Sequence, residues 1–341
     1  MSIASGLATG LDATPNLAEE AVLQAMRKAG LERAEGVILL LSQHYARHAA
    51  MAVMAAARAA GCMQVVGMTA PGLITENGWV LDQIAAAALV LGDDMGLTPM
   101  HDASGPTFVF CSAPTLPIEW VAPPQRIGLL HDGSAVWQQA RVHENGRCEF
   151  ALSGVRMTTR VAPGLKRIGE KQVVSNTRGL DLLRLGQLTA SDSLRRALPA
   201  EWKEGPLPVH QLAMMPNGEP GQPAIPLLSA NADGSITLAR QPESGESLAW
   251  AMRQPLAAEA ELREQLNDLT PPAFGLMFSC IGRGPLFYGH DDRDLAVWRE
   301  RFPGVPLLGA YGGAQIAPDP AGDNQQWQNS VVLALAYRDL A

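Results

Sequence analysis

The chain is 341 residues long, 47% hydrophobic and 18% charged, with a formal net charge of −8; this is long enough for two domains, because single cores stop growing near about 250–300 residues. The ordinary globular balance excludes a disordered chain, and an acidic protein with no Lys/Arg run lacks the basic stripe of a nucleic-acid-binding face. No apolar run reaches membrane-span length and the first residues lack a secretory leader pattern, while four scattered cysteines (Cys62, Cys111, Cys148, Cys280) with no C-x-x-C pair read as reduced thiols of a cytoplasmic protein.

Residues 1–12 are small and polar and predict a loop or edge strand. Asn16 with Glu19 gives a capping-box-like helix start, and Gly30 marks the end. Residues 36–42, GVILLLS, are continuously apolar, as in a strand buried on both faces. Residues 43–60 predict an Ala-rich helix stopped by Gly61. His44 and His48 would share one face of it; without a third ligand in view they read as a hydrogen-bonded or solvent-facing pair rather than a zinc site. Residues 64–74 form a strand with a glycine turn, QVVGMTAPGLI, and 84–94 a further strand. Residues 94–125 are loop-rich around a strand at 107–112. Residues 126–131 and the stretch to 142 predict a strand and a polar helix or hairpin. Short strands are expected at 149–155 and 172–175, and a Leu-rich helix over 180–198 (Leu182, Leu185, Leu188). Residues 206–246 are β-rich, with an Asp-Gly hairpin turn, and 256–269 predict an amphipathic helix. A boundary near 200–205 divides the chain into 17–200 and 206–341.

The last part of the chain resembles the first. A strand at 274–279 runs into Cys280 and a Gly-Arg-Gly turn; a strand at 305–308 runs into Gly309, Gly312 and Gly313. VVGMTAPGLI aligns with LLGAYGGAQI, so that Gly67 meets Gly309 and Ile74 meets Ile316, and IAAAALVLGDD resembles SVVLALAYRDL. The expected fold class is mixed α/β (α+β), with two pseudo-symmetric lobes from an internal duplication, each a β-sheet covered by helices. Strand ends of this kind are where an α/β sheet receives a ligand.

Several side chains there could carry chemistry. Cys280 next to Arg283 and a flexible turn is either a nucleophile, with His290 or His44 as base, or a thiol that packs or lines a site. Arg283, between Gly282 and Gly284, is either a bidentate clamp for a carboxylate or phosphate or the structural residue of a tight turn. Tyr311 could wall a pocket, with Thr69 in the matching place of the first turn. Neither turn is a P-loop or a dinucleotide loop. The acidic run Asp291–Asp294 reads as solvated.

FSCIGRGPLFYG…HDDRD…VPLLGAYGGAQIAPD resembles the C-terminal signature of the FIST family, a sensory module named for F-box and intracellular signal-transduction proteins. GMTAPGLI is similar to that family's first glycine turn, and SQHY to its Ser-Pro-His-His-like stretch. The likeness extends from Leu17 to the C-terminus and is weakest over 95–206. It implies a FIST N-type domain over 17–200, a FIST C-type domain over 206–341, and a non-catalytic sensor of small metabolites such as amino acids, with no cofactor. Carried over to matched positions, the ligand-lining residues are Cys280, Gly282, Arg283, Gly284, Gly309, Gly312, Gly313, Gly67 and Gly72. Tyr311, Gln315, Thr69 and His44 join them from the reading of the residues. The family's Glu in the second turn is Gln315 here, the corresponding first-turn position is Leu73, and Met68 replaces a Cys. A ligand amine that pairs with that Glu would bind weakly here, or the ligand is neutral. With no kinase, cyclase, chemotaxis or F-box segment in the sequence, the signal is expected to pass to a separate partner protein.

Overall fold

In the computed structural model, which describes residues 2–98 and 106–339, the chain is mixed α+β and divides into two compact units. One comprises residues 1–162 with 263–341, the other residues 163–262. The boundary expected near 200–205 lies inside the second unit. Among the described residues no helix is long and apolar enough to cross a membrane.

The larger unit contains one strand order three times. An edge strand comes first: Ile3–Thr9, Gly96–Thr98, Val155–Ala162. A second strand (Gly36–Ser42, Thr107–Cys111, Phe274–Cys280) runs parallel to a third (Val65–Ala70, Arg126–Leu130, Leu307–Gly312). A hairpin follows, at 72–81, 136–142 or 314–327. The last strand (Ala85–Leu91, Arg147–Ser153, Val331–Arg338) then enters antiparallel between the first and the second. Two such segments are those the sequence aligned; the segment 96–153 is a third. All of these strands belong to one compact unit rather than to two lobes.

Each hairpin pairs outside its own segment. Hairpin 72–81 extends the sheet of Leu307–Gly312, hairpin 136–142 that of Val65–Ala70, and hairpin 314–327 that of Arg126–Leu130. The result is three six-stranded sheets joined in a closed ring of exchanges. Three glycines set the register. Gly67 lies opposite Leu39, Gly128 opposite Val109 and Gly309 opposite Met277. A Cβ at these glycines would fall 1.7, 1.8 and 2.2 Å from the carbonyl oxygens of those partners, closer than any side chain permits.

Alternation along the strands gives each sheet two faces. The inner faces share one core, to which the second strands contribute Ile38 and Leu40, Phe108 and Phe110, and Leu276 and Phe278. On the outside, Val37, Leu39 and Leu41 pack under helices Pro15–Ala29 and Ala49–Ala60. Helix Arg293–Arg301 brings Trp298 so close to Gly275 that a Cβ there would lie 2.3 Å from the indole.

The smaller unit is a closed antiparallel barrel. Strand Ser247–Arg253 pairs with Gln172–Arg178 on one side and with Leu212–Pro216 on the other, which closes the ring. Its core includes Leu182, Leu194, Met214, Leu238 and Trp250.

Three local expectations change. The helix expected over 180–198 is two strands, Asp181–Leu185 and Leu188–Thr189, joined through Gly186 at φ 56°, and only Ala190–Ala197 is helical, capped by Thr189. Leucines three apart mimicked a helical face across that left-handed glycine. The first helix starts at Pro15 with Thr14 as N-cap, not at Asn16, since proline suits the first helical position. Residues 43–60 split into a short 3₁₀ turn at Gln43–Tyr45 and the helix Ala49–Ala60. Of the loop-rich stretch 94–125, residues 99–105 lie outside the described residues.

Candidate functional site

The expected site residues fall into three groups, all in the larger unit. The first surrounds the Gly-Arg-Gly turn on the outer, helix-covered side of the third sheet. Arg283 is fully buried and donates from Nε and Nη2 to both oxygens of Asp294 at 2.7 and 2.9 Å, and from Nη1 to the Ala162 carbonyl at 2.8 Å. Tyr288 donates to Asp294 at 2.8 Å, and Tyr311, buried, donates to Asp292. Asp292 also caps helix Arg293–Arg301 by accepting from the Leu295 amide at 2.8 Å. Burial, and then the neighbouring Asp294 charge, push the Asp292 carboxyl up to about 6. Burial likewise raises the Tyr311 and Tyr288 hydroxyls. The two carboxylates read as solvated are thus 2% and 0% exposed, and the guanidinium read as a possible clamp anchors the turn from inside. Gly284 permits this closeness, since a Cβ there would lie 2.5 Å from the Tyr311 ring; Gly72, across the exchanged hairpin, would meet the same ring at 2.7 Å.

The second group is at the end of the first sheet. Thr69 is fully buried and bonds the second hairpin: its Oγ1 accepts from the Ala135 amide at 3.0 Å and its carbonyl accepts from Ser134 at 2.7 Å. His44 is exposed, with Nδ1 3.3 Å from the buried Ser42 hydroxyl. These residues are held by partners of their own, apart from the Cys280 turn.

The third group lies where the inner faces end. Cys280 follows Leu276 and Phe278 by alternation, so its thiol belongs to the inner face; it is 5% exposed and contacts the Gly313 carbonyl at 3.8 Å. Gly312 and Gly313 link the third strand to the hairpin. The Ile281 amide donates to Gly312, and the Gly313 amide donates to Leu130, both at 2.9 Å. Gly282 is half-buried and Gly313 exposed. Two residues on, Gln315 is 0% exposed, and both its Nε2 and its Oε1 are buried without a hydrogen-bond partner. On the same strand Ala314 and Ile316 face outward and Ala317 inward, which puts Gln315 on the inner face. Buried side-chain polar groups are nearly always satisfied, so an orphaned amide requires a reason.

His131 belongs to this group and carried no signal in the sequence beyond ending a strand. A Cβ on Gly313 would lie 3.8 Å from its Nδ1, so the thiol and the imidazole flank one glycine. Burial lowers its pKa and favours the neutral ring. His290 is exposed, in a turn at φ 102°.

Residues 190–318 match the FIST C domain. The chain is 27% identical over 195 residues to the uncharacterized protein MT0656 of Mycobacterium tuberculosis, covering 53% of this chain and 51% of that protein. It is also 27% identical over 210 residues to the uncharacterized protein Mb0898c of Mycobacterium bovis, covering 55% and 53%. The chain thus spans about half the length of the curated relatives it matches.

Proposed function

We propose that this chain, which carries a FIST C domain over residues 190–318, is a cytoplasmic sensory protein that binds a small polar metabolite at the Cys280–Gly313–Gln315 end of the core and passes the bound state to a separate partner. The observation that carries the reading is the Gln315 amide, buried with both polar atoms unpaired beside two glycine-rich strand ends and inside the matched domain. Leaving such a group unpaired costs about 1–3 kcal/mol, so a ligand that pairs it favours the arrangement in which it is paired. The ring of exchanged hairpins supports transmission, because Gly312 and Gly313 connect the site to a hairpin belonging to another sheet. Thermal unfolding of the full chain across amino acids, organic acids, amides and nucleotides tests this. A ligand of the native state adds about 2.7 kcal/mol at a hundredfold excess over Kd, and a panel with no selective upward shift would count against the sensor.

A second reading is a cysteine-dependent hydrolase or transferase, favoured by the placement of His131 rather than His44 or His290. The neutral imidazole would accept the Cys280 proton as the sulfur attacks. The other three thiols are internal references, because burial raises each of them. Iodoacetamide at pH 6 should then label Cys280 at least tenfold faster than those three, and His131→Ala should abolish the difference. Equal labelling would discard the enzyme reading.

A further inference from the structure

The ring of three segments permits a comparison that a single site does not. Gly67, Gly128 and Gly309 are equivalent by register, and each is paired across the exchanged hairpin with Trp137, Ile316 and Ile74. The residues just before those three are Val136, Gln315 and Leu73. All are 0% exposed, and Val136 and Leu73 are part of the shared inner core. One position, repeated three times in the same setting, is therefore aliphatic twice and a primary amide once. The amide that differs is also the one without a partner.

The surroundings define what could pair with it. The second strand of the third segment ends its inner face on the Cys280 thiol, which contacts the Gly313 carbonyl at 3.8 Å. His131 adds an imidazole whose neutral form burial favours. Neither of these groups is formally charged; the carboxylate that acts on His131, Asp132, is exposed to solvent, and Arg283 is bound to Asp294 on the other side of the sheet. A charged ligand would lose its hydration here without gaining an opposite charge. A primary amide offers a donor and an acceptor on one planar edge and is matched by a partner with the same pair reversed.

We propose that the ligand is a small uncharged molecule presenting a hydrogen-bond donor and acceptor side by side, such as an amide, lactam or imide, which pairs with Oε1 and Nε2 of Gln315. This rests on the sensor reading and narrows it to one chemical class. Entry is past the exposed Gly313, where the chain carries no side chain.

The test uses the full chain, with succinimide, 2-pyrrolidinone and acetamide as neutral probes and succinate and 4-aminobutyrate as charged ones. Unfolding temperature and calorimetric affinity are read for the parent, Gln315→Leu and Gln315→Met. The expected result is an upward shift with at least one neutral probe and with neither charged one. Both variants should weaken that binding at least tenfold while their ligand-free unfolding temperature stays at or above the parent's. A shift with the charged probes alone would leave the sensor standing and overturn this inference. Neutral binding unaffected by Gln315→Leu and Gln315→Met, or a marked fall in both ligand-free unfolding temperatures, would overturn it as well. A flat response to every probe would overturn this inference too, while the sensor reading is decided by the wider panel that includes amino acids and nucleotides.

Discussion

Asp294→Ala should destabilise the larger unit by about 3–5 kcal/mol, the usual loss when one partner of a buried ion pair is removed. Both side chains of the Arg283–Asp294 pair are 0% exposed, so no water reaches the guanidinium left behind. Nε and Nη2 lose their acceptors together, and the Tyr288 hydroxyl loses its own. Against a typical total of about 5–15 kcal/mol, this is enough to unfold a substantial fraction of molecules on mild heating. The double variant Arg283→Met/Asp294→Leu separates charge from packing. Exchanging a buried pair for apolar side chains of similar size is often neutral, so the double variant should recover most of the stability that the single one loses. Urea unfolding of the parent, both single variants and the double one measures the coupling. A single-variant loss under about 1 kcal/mol would mean that the pair is hydrated, as surface pairs are.

The acidic residues at 291–294 show why this pair was hard to read. Runs of Asp are usually solvated, and nothing local separates Asp294, facing a buried arginine, from the exposed Asp291. What separates them is helical phase: Asp292 caps Arg293–Arg301 and Asp294 lies in its first turn, on the side that covers the sheet. The strands 36–42 and 274–280 were legible because continuous apolar runs have few other uses, and the glycines at 67 and 309 because close approach of two strands excludes every other residue. The middle segment escaped notice. Its glycine, Gly128, is followed by a turn two residues longer than the others, and its second and third strands are joined by a loop and a short 3₁₀ turn at Ile118–Trp120 where the other segments have helices. Hairpin exchange leaves no local mark, because a strand pairs with a distant neighbour through the same backbone groups as with a near one. Gln315 was legible as a position, but its lack of a partner became visible only with the hairpin placed against Arg126–Leu130.

Removing residues 163–254 and joining Ala162 to Pro255 through a short linker should leave the larger unit folded, whereas residues 206–341 alone should not fold. In the first segment, residues 10–14 suffice to connect strand Ile3–Thr9 to helix Pro15–Ala29. The equivalent step in the third segment, from Val155–Ala162 to Pro255–Asn267, takes residues 163–254 and contains the barrel. The barrel strands pair only with one another among the described residues, so their removal breaks no ladder of the three sheets. The C-terminal fragment is in the opposite position. It lacks strand Val155–Ala162, which edges the third sheet, and hairpin 72–81, which completes that sheet on the other side. Its own hairpin would lack Arg126–Leu130 to pair with. Its inner face would expose Leu276, Phe278 and Leu308, whose core is otherwise built from the first two segments, and open apolar strand edges are templates for aggregation. Circular dichroism and cooperative urea unfolding distinguish the cases: one sharp transition for the excised chain, and none, with precipitation, for the fragment. A cooperatively folding fragment would show that the exchanged hairpins are dispensable, and the site at Gln315 would then have to be complete without the other two sheets.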